Sequence, residues 1–192
     1  MANTNAPFGF RCVGSLAGND FRVSQRKIQS TYSTAIFRGD AVISASGYIT
    51  QLAAAAGGSS GVAVGFAWLS KSLGYYTWFK YWNAASDAAA DADVWVVDDP
   101  GAVFQVQAGA TALTLANIGQ NIDIVVGTGN TANGLSGFYL AGSPGTTTTF
   151  PFKITAIPGV LTGDVFTDST SAYNVVEVTF NSQSFKTLGG TY

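Results

Sequence analysis

The side chains that could do chemistry in this 192-residue chain are few and poorly matched to catalysis. There is no histidine. That removes the usual general base at neutral pH, the partner of a nucleophilic serine or cysteine, and the commonest zinc ligand. Cys12 is the single cysteine. With no base near it in the sequence, it is expected to serve as a small apolar residue rather than a nucleophile. Glu177, the single glutamate, falls at an outward position of Val175-Val-Glu-Val-Thr-Phe-Asn181. Asp87, Asp91, Asp93, Asp98 and Asp99 form the one concentration of carboxylates. A glycosidase pair would have to come from them, yet their spacing is not that of a calcium-binding hand. Turn capping and a solvated edge are the expectation, with a bound cation as the lesser alternative. The loop Gly127-Thr-Gly-Asn-Thr-Ala-Asn-Gly134 lacks the Gly-Lys-Ser/Thr ending of a phosphate loop. We therefore expect no enzyme, no cofactor and no metal.

Residues suited to binding are easier to find. Tyr75-Tyr-Thr-Trp-Phe-Lys-Tyr-Trp82 is β-prone and aromatic on both faces of an ideal strand. Period-two alternation sets Tyr75, Phe79 and Tyr81 on one side and Tyr76, Trp78 and Trp82 on the other. One face suits a core. The second, carried by Tyr76, Trp78 and Trp82, is a candidate interface with another layer or a neighbouring subunit.

Charge is unevenly placed. Residues 1–40 hold five cations (Arg11, Arg22, Arg26, Lys27, Arg38) against Asp20 and Asp40, whereas the rest of the chain is net acidic. A basic leading portion on an acidic body suggests docking on an acidic partner or on the next subunit. The cations are too dispersed for a nucleic-acid patch.

The elements that must hold these residues read as β throughout. Large residues alternate along Val62–Trp68, predicting a strand with Val62, Val64, Phe66 and Trp68 on one face. A flexible glycine-serine turn before it, Gly57–Gly61, leads back to a strand at Gly47–Leu52. Val94–Val97 and Ala102–Gln107 bracket Asp98-Asp99-Pro100-Gly101, which predicts a hairpin closed by a type II turn. There, Phe104 and Val106 point inward, with Gln105 and Gln107 outward. Thr111–Asn121 is open between short helix and strand. Further strands are expected at Ile122–Val126, Gly137–Ala141, Thr147–Ile157 and Asn174–Phe180.

The fold expected is all-β, a sandwich or small barrel of short antiparallel strands with an extended N-terminal arm. Residues 1–40 would supply the arm and first strands, and 41–192 the body of a single domain. Only 10% of residues are charged, against about 25% in typical domains, so a surface covered by partners is expected. The uncharged run between Asp40 and Lys71 is interrupted by its glycine-serine cluster, which argues against a membrane span. The leading residues lack a signal-peptide pattern, and cytoplasmic folding is the expectation.

A resemblance sharpens these expectations. Asn5-Ala-Pro-Phe-Gly-Phe-Arg11 resembles the APFGLRPV opening of a family of tailed-bacteriophage head decoration, or cement, proteins. Phe37-Arg-Gly-Asp-Ala-Val42 is similar to its GDAV strand entry, and Gly61-Val-Ala-Val-Gly65 to a later strand. Val96-Val-Asp-Asp-Pro-Gly-Ala-Val-Phe-Gln-Val-Gln107 is similar to its VDDPDTVFEVQ core, with Gly101 and Gln105 where acidic residues are common. Gly119–Val125 and Thr131–Gly137 resemble two further segments. The motifs keep one order over most of the chain and leave out 14–36 and the tail after Gly163.

The resemblance implies a virion protein on the outer surface of the head, a homotrimer whose partner is the major capsid protein. Pro7, Phe8, Phe10 and Arg11, with Arg22, Arg26 and Lys27, are the expected docking residues, Pro7 keeping Ala6 extended. A tail-fibre or receptor- or carbohydrate-binding module is the alternative.

Overall fold

The computed structural model describes residues 3–18, 20–83, 87–158 and 170–184. In chain order its strands are β1 (Arg11–Ser15), β2 (Val23–Ile28), β3 (Ile36–Phe37), β4 (Ala41–Ala45), β5 (Tyr48–Gln51), β6 (Gly61–Leu69), β7 (Tyr76–Phe79) and β8 (Tyr81–Trp82). They continue with β9 (Ala92–Val97), β10 (Ala102–Gln107), β11 (Asn121–Ile122), β12 (Ile124–Val125), β13 (Tyr139–Leu140), β14 (Phe152–Ala156) and β15 (Val175–Phe180). Helix among the described residues is limited to a 3-10 turn at Leu115–Asn117, within the segment the sequence left open.

The strands form two main sheets with antiparallel pairing. One runs β1-β10-β15-β14-β11; the other runs β2-β9-β6-β4-β5, with β7 on the far half of β6. Two short ribbons, β3–β8 and β12–β13, complete the layers. The all-β sandwich expected from the sequence is what the chain adopts.

Adjacent residues at the centre of the second sheet fall into different cores. Ala41, Val62 and Val97 pack with Phe104, Phe152, Val178 and Phe180 between the two sheets. Their neighbours Val42, Ala63 and Val96 pack with Ile28, Phe66, Trp68 and Trp82 on the opposite side. This is the alternation a strand must show when both its faces are covered.

Four local expectations are corrected. A bulge shifts the register of β6 between Ala63 and Gly65, so Val64 packs with the first core while Phe66 and Trp68 enter the second. One extra residue reverses the phase. The aromatic strand is likewise broken at Lys80. β7 pairs with β6, whereas β8 pairs with β3, so Trp82 lies opposite Ile36 and is fully buried. It meets Trp68 edge-on at 5.3 Å, and Phe79 stacks on the same Trp68 at 3.6 Å. Trp82 is therefore a core residue and not an interface candidate.

Residues 98–101 are not a hairpin turn. They carry the chain from the second sheet (β9) to the first (β10). Gly101 does not take a positive φ. Instead Asp99 Oδ1 accepts its N–H at 2.8 Å, and the Asp99 carbonyl accepts Ala102 N–H at 3.0 Å, so the aspartate side chain fixes the turn. Finally, the glycine-serine segment is built in rather than flexible. Ser59 and Ser60 are buried, and the Ser59 hydroxyl donates to the carbonyls of Val42 and Gly61. A Cβ at Gly61 would stand 2.3 Å from Val96 Cγ1.

Candidate interaction surfaces

The extended N-terminal segment is laid on this chain's own body. The Thr4 carbonyl accepts Gln107 Nε2 at 2.9 Å, Ala6 N–H donates to Gln107 Oε1 at 3.0 Å, and Phe10 N–H donates to the Gly39 carbonyl at 2.8 Å. Gln107, expected to point outward, is buried to hold this strap. Phe10 stacks on Phe152 at 4.3 Å and meets Phe104 edge-on at 6.2 Å, inside the first core. Phe10 is thus a plug of the fold and not a docking anchor. Pro7 and Phe8 are half-buried and Arg11 is exposed.

The basic residues of β2, and Arg22 just before it, are also spent internally. β2 pairs in register with β9. Arg22 Nε lies 2.8 Å from Asp98 Oδ1, Arg26 2.9 Å from Asp98 Oδ2, and Lys27 Nζ 2.6 Å from Asp93 Oδ1. The basic stretch and the acidic body answer each other within one molecule, which corrects the expectation that Arg22, Arg26 and Lys27 await an acidic partner. Burial alone would raise the Asp98 carboxyl, but hydrogen bonds from Arg22, Arg26 and Ser24 outweigh it and hold it below the usual value. Asp93 behaves the same way under Lys27, Tyr76 and Gln25.

The remaining aspartates are consumed one by one. The Asp87 carboxyl is drawn down to about 2 by hydrogen bonds from Ser70 and Ser72, and Asp91 is lowered chiefly by the Ser30 N–H and the Tyr48 hydroxyl. No group of three or more acidic or cysteine side chains suited to a metal ion occurs among the described residues. The carboxylates suspected from the sequence are capping and pairing groups.

Among the described residues, two surfaces are candidates for a partner. On the face of the second sheet that Trp95 shares with Val97, Trp78 is 63% and Tyr76 51% exposed. Trp78 leans on Trp95 at 4.1 Å with the planes 31° apart, over the bulge at Gly65, whose absent side chain makes room for the indole. The Tyr76 hydroxyl donates to Asp93. Loss of hydration and then the Asp93 carboxylate push Tyr76 up to about 12, so it stays neutral and fixed. Leu69, paired with Tyr76 across β6 and β7, extends the apolar exposure. The sequence found Tyr76 and Trp78; Trp95, hidden in an apolar run, it missed.

The second surface is a groove of about 620 Å³ lined by Phe8, Phe10, Arg11, Cys12, Phe21, Arg38, Gly39, Val64, Val97 and Leu135. Cys12 packs there, half-buried, and burial raises its thiol above the ordinary value. No family model, curated protein or solved structure matches the chain.

Proposed function

We propose that this chain is a virion structural protein: a capsid decoration, or cement, protein on the outside of a tailed-phage head. It would bind the major capsid protein as a homotrimer and tie neighbouring capsomers together. The motif series that opens at Ala6-Pro-Phe-Gly-Phe-Arg11 supports this reading from the sequence. The observation that carries it is the exposed pair Trp78 and Tyr76, set on a sheet face beside Trp95. A folded chain gains nothing by leaving an indole and a phenol half in water, while buried aromatic anchors commonly carry interface energy. A second reading, a receptor module that stacks sugar rings, draws on the same Trp78, flanked by the polar Lys27, Asp93 and Tyr76.

The test is co-sedimentation of purified chain with heads of the phage that encodes it, followed by cryo-electron microscopy. Wild type is expected as density on the outer shell. Trp78→Ala should reduce occupancy at least tenfold while shifting the melting temperature little. Absence of the chain from heads would reject the cement reading, and host-cell adhesion lost in Trp78→Ala would favour the sugar-stacking one.

A further inference from the structure

The groove differs in chemistry from the aromatic face. Arg11 and Arg38 are both exposed and both line it, and neither is ion-paired among the described residues. None of its lining residues is acidic. Arg11 faces Gln105 across the β1–β10 pair, and the next residue in that row, Glu177, is engaged by Gln105 Nε2 at 3.3 Å. A chain of net charge −2 thus leaves two arginines bordering one apolar cleft without an ion pair among the described residues, although Arg22, Arg26 and Lys27 are paired internally.

The walls are fixed before any partner arrives. Phe10 N–H is tied to the Gly39 carbonyl at 2.8 Å, Arg38 N–H to the Gly134 carbonyl at 3.0 Å, and Ser136 N–H to the Arg38 carbonyl at 3.0 Å. Gly9, at φ +76°, lies so close to Ser136 that a Cβ would stand 2.4 Å from its Cβ. Arg11 and Cys12 belong to β1, the outermost strand of its sheet, whose far edge has no strand partner among the described residues and is bridged at Ser15 by Gly18.

We propose that this groove captures an extended acidic segment of a partner protein, one that sets a carboxylate beside a bulky apolar side chain. The carboxylate takes charge-assisted hydrogen bonds from Arg11 and Arg38. The apolar side chain fills the space between Phe8, Phe21, Val64 and Leu135, and the segment's backbone pairs with the free edge of β1. That edge favours a peptide over an anionic lipid, which has no ladder of amides to offer it. The inference goes beyond the cement reading, because it holds whichever protein supplies the segment.

A random-peptide display library selected against the immobilised full chain tests it, with alkylation of Cys12 as the footprint of occupancy. Selected peptides should carry Asp or Glu next to a large apolar residue and slow Cys12 alkylation at least fivefold. They should bind at least tenfold more weakly to the Arg11→Gln/Arg38→Gln double variant. Both arginines are exposed, so that variant should keep the wild-type melting temperature. Four results would overturn the proposal: no peptides recovered, selected peptides without acidic enrichment, unprotected Cys12, or equal binding to the double variant. Protection by phosphatidylglycerol vesicles in place of peptides would do the same. Failure to bind heads, with peptide capture intact, would count against the cement reading alone.

Discussion

Asp98 has no exposed side-chain surface, yet it remains the charged partner of two half-exposed guanidiniums. An ion pair of this kind contributes less than a fully buried one, since water already screens the cations. Removing the cations leaves a buried carboxylate with Ser24 as its remaining side-chain donor. The Arg22→Gln/Arg26→Gln double variant should therefore lose about 1–3 kcal/mol in urea denaturation, below the loss expected for an enclosed pair. Adding Asp98→Asn to that double variant should recover part of the loss. The charge imbalance between the chain's first forty residues and its remainder was legible in the sequence. Its internal resolution was not, because nothing in a run of residues tells that β2 pairs with β9 in the register that sets Arg26 and Arg22 on Asp98.

Elements were legible where alternation ran unbroken, and their phase was lost where one residue interrupted it. Ala102–Gln107 shows Phe104 and Val106 inward as expected. The bulge at Ala63–Gly65 and the break at Lys80 each turned half of a strand over, which moved Trp82 from a surface to a core. At Lys80 a residue far along the chain closes in: Gly134 packs so closely that a Cβ there would lie 2.6 Å from Lys80 Cβ. The N-terminal strap was recognised as extended, but its anchoring through Phe10 and Gln107 depends on pockets assembled from distant strands. Phe10→Ala should cost about 3–5 kcal/mol, the usual range for emptying a buried phenylalanine site. Deletion of residues 1–11 should lower the melting temperature by at least as much as Phe10→Ala. A deletion that leaves thermal stability unchanged would show that the strap is dispensable.

At the scale of the molecule, acid should unfold this chain through its aspartates. Asp87, Asp91, Asp93 and Asp98 are all held below the usual value in the folded state, Asp87 down to about 2. Their contribution is complete above the unfolded carboxylate value of about 3.9 and is lost as pH falls from there towards 2. Asp40 runs the other way. Burial, outweighing hydrogen bonds from Phe37, Ser136 and Gln51, raises its carboxyl, so its ionisation opposes folding as pH climbs past about 4. Melting temperatures between pH 7 and pH 2 should therefore drop steeply on the acid side, and Asp40→Asn should stay stable at pH 7. A flat profile down to pH 2 would refute this assignment.

Trp95 on the aromatic face and Val97 in the floor of the groove stand two residues apart on β9, which places them about 7 Å from each other. No loop or hinge intervenes, and the strand between them is bonded on both sides to β2 and β6. The molecule thus carries a ruler: any body that grips both places must present its two contacts at that fixed distance, and a partner with the right groups at the wrong pitch is turned away.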